Sequence, residues 1–121
     1  MADKLAIVCT HGPEDPERAT IPFVLATAAQ ASDVDVIMGF QVNGVLLAKK
    51  GCAEHIFAAG FPALKELMDA YIEAGGELYV CGPCVNSRKL DPATDFIQGA
   101  KVVNAATFVK VFTEATNVLN Y

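Results

Sequence analysis

The chain has no tryptophan, no run of basic residues, no internal repeat, no low-complexity tract and no apolar stretch long enough to cross a bilayer. Each absence closes a class of function. Nine lysines and arginines stand against fourteen acidic residues, a formal charge of −5, so neither nucleic acid nor an anionic membrane is expected as a partner. The longest apolar runs fall well short of the roughly 20 residues a spanning helix needs. The opening Met-Ala-Asp-Lys does not read as a signal peptide, and a cytoplasmic address is expected. Disorder is excluded as well: 53% of residues are hydrophobic and only 19% are charged, the balance of a chain with extensive buried surface. At 121 residues it fits one domain, 1–121, and part of its apolar surplus is expected to lie between subunits.

What is present is organised around Glu77–Arg88. Leu78, Tyr79 and Val80 are strand formers that follow the Gly75-Gly76 break, and Gly82-Pro83 ends the strand at Cys81. Pro83 suits the first turn of a helix, which puts Cys81 at or beside an N-cap, where free N–H groups favour an anion. A thiolate is such an anion. In settings of this kind a cysteine pKa can fall from about 8.5 to roughly 3.5–7.5. Arg88 would add positive charge only where the chain bends back. Four cysteines without a secretory leader point to reactive or buried thiols in a reducing compartment rather than to a disulfide framework.

Elsewhere the pattern alternates strand and helix. Lys4–Thr10 is a continuous apolar run, typical of a strand buried on both faces, and it ends at His11-Gly12-Pro13. A helix follows, with Asp15 or Thr20 as cap and Pro16 or Pro22 in its first turn. Its apolar stripe is read as Ile21, Val24, Leu25, Ala28 and Ala29, and its alanines at 26, 28, 29 and 31 would let it lie close on a sheet. Val34, Val36 and Met38 mark a second strand ending near Phe40. Asn43-Gly44 reads as a turn, and Val45–Ala48 as a short strand or helical turn. Pro62 opens an amphipathic helix with Leu64, Leu67, Met68, Tyr71 and Ile72 on one stripe, ended by Gly75-Gly76. Lys101–Asn104 is read as a last strand. The closing helix is read with Phe108, Val111, Phe112, Ala115 and Leu119 on one face.

Such alternation implies right-handed crossovers and an α/β fold: a doubly wound, mostly parallel sheet of four or five strands with helices on both faces. Ligands of open sheets of this kind gather beyond the carboxyl ends of the strands. Cys9, Thr10, His11 and Cys81 all fall at such ends.

Three chemistries compete there. Cys81-Gly82-Pro83-Cys84 has the spacing of a dithiol oxidoreductase. Its late position, the absent tryptophan and the lack of a following hairpin argue against the thioredoxin fold, while a reversible Cys81–Cys84 disulfide on another fold stays open. Cys9-Thr-His11, Cys52-x-x-His55 and Cys81-x-x-Cys84 carry thiolates and imidazoles, but not at finger or ribbon spacing, and no metal is assigned. Cys9, inside a buried strand, reads as a small hydrophobe. His11 is a candidate proton donor or sulfur-orienting group. Lys49-Lys50 reads as a solvated turn.

With these residues in view, the chain resembles the DsrE/DsrF-like family, which includes TusD-like sulfur-relay subunits. The likeness spans nearly all of the sequence. It rests on Leu5–Thr10, on Phe40–Ala48, on the helix before Gly75-Gly76, and on a strand ending in a cysteine followed about seven residues on by an arginine, here Cys81 and Arg88. The resemblance implies a persulfide carrier that accepts sulfane sulfur on Cys81 and passes it on. Its donor or acceptor would be a TusA-like sulfur carrier protein, its assembly a homotrimer, homohexamer or hetero-oligomer, and it would use no organic cofactor. His11, Gly82, Asn86 and Arg88 are the supporting or substrate-binding candidates around Cys81 and Cys84. Two positions depart from the pattern. Cys84 is an additional thiol, which admits disulfide release in place of relay, and Lys89 stands where relatives often have glycine. A dithiol redox protein and a non-catalytic oligomeric small-ligand-binding module are the alternative classes.

Overall fold

A computed structural model describes residues 3–121. Five strands, β1 (Lys4–Cys9), β2 (Asp35–Phe40), β3 (Glu77–Cys81), β4 (Ala100–Val103) and β5 (Asn117–Asn120), form one sheet in the order β4-β3-β2-β1-β5. All pairings are parallel. Helices α1 (Pro16–Ala31), α2 (Leu64–Glu73), α3 (Gly82–Ser87) and α4 (Ala105–Glu114) make the crossovers, and two 3-10 turns, Val42–Ala48 and Ala53–His55, lie between β2 and α2. The expected doubly wound α/β architecture is the observed one.

The continuous apolar runs are explained by burial on both faces. Ile7, Cys9, Met38, Phe40, Leu78 and Val80 turn toward α1 and α2 and join the main core, while Ala6 and Ile37 turn to the opposite face and meet Val111 of α4. Phe23 of α1 links the layers, stacking on Phe40 at 6.0 Å and meeting the Tyr71 ring edge-on at 5.8 Å. Tyr71 is fully buried, and its hydroxyl donates to the carbonyls of Val36 at 3.1 Å and Glu77 at 2.6 Å. One α2 side chain thereby ties the starts of β2 and β3 together.

Asp15 caps α1, accepting from the Arg18 N–H, and Pro16 occupies the first turn. Pro22 lies inside the helix instead, and the Thr20 hydroxyl bonds back to the Pro16 carbonyl. The inward residues of α1 are Ala19, Thr20, Pro22, Phe23 and Ala26, a different phase from the stripe read in the sequence. The reason is geometric: α1 is packed against both the sheet and α2, so most of its circumference is apolar and the periodicity carries little phase information. The stripe of α2 does hold, with Leu64, Met68 and Tyr71 buried. At the chain's end the closing helix stops at Glu114, and Leu119 belongs to β5, which pairs with β1. A four-residue edge strand beside a helix offers too few residues for its period of two to show.

Candidate functional site

Cys81 is the last residue of β3 and the N-cap of α3. Its register places it beside Val103 of β4, at the carboxyl edge of the sheet. Gly82 permits the close approach there, since a Cβ at that position would lie 3.1 Å from the Val103 carbonyl oxygen. Pro83, in the first turn of α3, fixes the backbone turn between Cys81 and Cys84, and the Cys84 thiol acts electrostatically on that of Cys81. All four cysteines are free thiols.

The start of α3 does not bring the Cys81 pKa down overall. Burial pushes the thiol up, the Cys84 side chain pushes it further, and the Cys84 N–H and the Arg88 guanidinium oppose them only in part. The Cys81 side chain makes no capping hydrogen bond, and burial is the largest influence on its pKa. The expectation of a lowered pKa at this residue is therefore corrected.

The second wall of the site comes from the 3-10 turn after β2. The Val42 N–H donates to Cys84 Sγ at 3.3 Å. Val42 has φ of +54°, a left-handed conformation that a β-branched residue rarely adopts. Next to it, Asn43 Oδ1 accepts from Arg88 Nη2 at 2.8 Å and Nε at 3.2 Å, while Arg88 Nη1 donates to the Cys84 carbonyl oxygen at 3.2 Å. Arg88 has thus bent back toward the thiols. Among the described residues the ion pairs are Asp15–Arg18 and Lys65–Asp69, so no carboxylate neutralises Arg88. Gly44 and Gly12 make the turn's position attainable. A Cβ on Gly44 would lie 1.9 Å from the Cys9 carbonyl oxygen, and one on Gly12 would lie 2.4 Å from that of Asn43.

The remaining candidates are spread along the same edge. His11 Nδ1 lies 3.0 Å from the Tyr121 carbonyl oxygen and 3.2 Å from Thr10 Oγ1, so its ring bonds to the end of the chain and not to a sulfur. Asn86 is exposed and, with Gly82, Pro83, Asn104 and Thr107, lines an open groove of about 510 Å³ between α3 and α4. Lys89 has φ of +55°, in the left-handed region that favours glycine. Cys9 is fully buried, with its pKa driven far up by desolvation; Cys52 is half-buried and also raised by burial, and His55 is exposed. Among the described residues no three His, Cys, Asp or Glu side chains converge as a metal site would require. None of the helices among them is long and apolar enough to cross a membrane.

Val42 and Asn43 were not singled out as site residues from the sequence. Their signal is indirect: Asn43-Gly44 was read as a turn, whereas Gly44 is required by close approach to β1.

Comparison with known proteins gives a consistent picture. A sequence model of the DsrE/DsrF-like family matches residues 3–121. Two uncharacterized archaeal proteins are similar over nearly their whole length. MJ0989 of Methanocaldococcus jannaschii is 30% identical, covering 98% of this chain and 99% of its own; MK0008 of Methanopyrus kandleri is 31% identical, covering 97% and 93%. Among solved structures, the ychN protein from E. coli superposes with a TM-score of 0.81 at 16% identity, covering 98% of this chain and 99% of its own. MTH1491, a protein of unknown function from Methanobacterium thermoautotrophicum, gives 0.76 at 13% identity over the whole of both chains. At these identities the two structures speak to the fold alone.

Proposed function

The chain belongs to the DsrE/DsrF-like family, and from that premise we propose that it is a persulfide-carrying sulfur-transfer protein that accepts sulfane sulfur on Cys81 and passes it to a partner protein. The family is consistent with sulfur relay in general. The observation that carries the specific reading is the thiol pair at the carboxyl end of β3, facing a backbone N–H and an arginine without a carboxylate partner. In the proposed reaction, the Cys81 thiolate attacks the terminal sulfur of a donor persulfide. The donor's sulfur–sulfur bond breaks, its thiolate leaves, and the sulfur is held as Cys81–S–SH. A thiolate of the acceptor then attacks that outer sulfur and Cys81 is regenerated. A TusA-like sulfur carrier is the proposed partner, a homotrimer or homohexamer the proposed assembly, and the cytoplasm the proposed location.

A second reading is favoured by the placement of Cys81 at the end of β3 and Cys84 in the first turn of α3. Should Cys84 attack the inner sulfur of the Cys81 persulfide, hydrosulfide would leave and an internal disulfide would form, making the protein a dithiol redox component. Transfer to a thiol acceptor separates the two. Relay predicts that Cys84→Ser keeps the transfer yield and that Cys81→Ser abolishes it. Rapid sulfide release by the wild type, with loss of two thiols per chain and none by Cys84→Ser, would establish the dithiol mechanism. If neither thiol takes up sulfur, the non-catalytic binding module is the remaining class.

A further inference from the structure

Arg88 stays at the thiol edge because Asn43 holds it there. Asn43 Oδ1 accepts from Arg88 Nη2 at 2.8 Å and Nε at 3.2 Å, while Nη1 donates to the Cys84 carbonyl oxygen and to Ser87 Oγ, each at 3.2 Å. These bonds occupy most of the N–H groups of the guanidinium, so little remains for a bidentate grip on an outside carboxylate or phosphate. What Arg88 offers the site is its charge. Asn43 is the fixed member of the pair: a Cβ on Gly12 would lie 2.4 Å from its carbonyl oxygen, and the next residue, Gly44, lies against the Cys9 carbonyl. Its acceptor is also neutral. An aspartate has the same shape and would make the same bonds, but as an ion pair that cancels the guanidinium charge. Burial holds the Cys81 thiol up, the Cys84 side chain adds to it, and Arg88 is the one side chain that pulls the other way. Other ionisable groups on neighbouring elements are engaged elsewhere. Glu77 accepts from the Tyr79 hydroxyl, Lys101 lies over the Tyr79 ring, Glu14 closes on the Gly12 N–H and His11 bonds to the Tyr121 carbonyl. Lys89 is exposed, and the 3-10 turn Val42–Ala48 carries no titratable side chain.

We propose that Asn43 is a positioning residue for Cys81: its neutral amide oxygen fixes the Arg88 guanidinium at the thiol edge without cancelling its charge, which then favours the Cys81 anion and sets how readily that sulfur attacks. For its reaction the inference rests on the sulfur-transfer reading, in which Cys81 gives up its proton to water before it attacks the outer sulfur of the donor. The tuning of the thiol does not rest on that reading. Arg88 acts on the attacking sulfur through space, and Asn43 acts only through Arg88. Residue 43 therefore separates placement from charge. An aspartate there keeps the placement and loses the charge, whereas a serine, too short to reach the guanidinium as Asn43 does, loses the placement.

The test follows alkylation of Cys81 by iodoacetamide against pH, with peptide mapping, in a Cys84→Ser background that leaves one thiol of the pair. It needs no sulfur donor. Asn43→Asp should melt no lower than its parent, because the bonds to Arg88 are kept, yet its Cys81 should label slower by roughly threefold or more near pH 7. The difference should close at high pH, where the thiol is fully ionised. Arg88→Met and Asn43→Ser, each checked for folding by circular dichroism, should slow labelling in the same sense, and they carry the test where Asn43→Asp does not fold. A bond that is structural only would leave the pH profile of a folded Asn43→Asp on that of its parent, and that result, or parent-like profiles for both Arg88→Met and Asn43→Ser, would overturn the proposal. The single-turnover rate of sulfur gain from glutathione persulfide reads the reaction, and Asn43→Asp should be slower there by a like factor. Slowed labelling with no sulfur gained by any of the proteins would keep the role of Asn43 and remove the sulfur-transfer reading. Unchanged labelling with normal sulfur gain would do the reverse.

Discussion

Replacing Gly44 by alanine should damage fold and site together. The added Cβ would sit 1.9 Å from the Cys9 carbonyl oxygen, whereas ordinary contact begins near 3.4 Å, so turn and strand must separate by about 1.5 Å. The obstacle is backbone on both sides, in a parallel ladder that cannot yield as a flexible side chain does. The cost therefore falls toward the upper end of the usual range for overpacking, about 3 kcal/mol, a large share of the stability of a domain this size. That should lower the melting temperature by about 10 °C. The same shift is about half the length of the Val42 N–H to Cys84 Sγ bond and of the Arg88–Asn43 bonds, so neither can keep its present geometry. Thermal unfolding followed by circular dichroism reads the first effect, and the rate of Cys84 alkylation below the transition reads the second. A melting temperature within about 2 °C of wild type with unchanged thiol reactivity would refute the argument that close approach, and not turn conformation, requires glycine here.

Three further outcomes are expected. Tyr71→Phe keeps the buried ring but strips the donor from two carbonyls, and urea denaturation should show a loss of about 1–3 kcal/mol. Because burial and Cys84 hold the Cys81 thiol up, its alkylation should still be accelerating above pH 8.5 or so, the ordinary thiol value; Arg88→Met removes a lowering influence and should slow labelling further at neutral pH. Light scattering at micromolar concentration should report a trimer or hexamer, and a monomer would remove the claim that the chain's apolar surplus is covered by subunit contacts.

The parts legible in the sequence were those set by local chemistry. Leu78–Val80 followed by Gly82-Pro83 could hardly be anything but a strand entering a turn, and the α2 stripe is regular because that helix has one buried side. Both put Cys81 and Cys84 at the sheet's carboxyl edge. The phase of α1 was hidden because it is buried on more than one side, and β5 because edge strands need few apolar residues. Within the site, the Val42 donor and the Asn43–Arg88 bonds join residues more than 40 positions apart, a pairing no local pattern encodes. The direction of the Cys81 pKa escaped for a related reason. Proximity to a helix start is readable from Pro83, but the burial that outweighs it is a property of the assembled core.

The most direct measurement is intact mass with site mapping after incubation with a sulfane-sulfur donor, on wild type, Cys81→Ser and Cys84→Ser. The account predicts one added sulfur per chain, located on Cys81, retained in final yield by Cys84→Ser and absent from Cys81→Ser. Uptake by Cys81→Ser as ready as by wild type, with none by Cys84→Ser, would contradict it by placing the carrier on the other thiol.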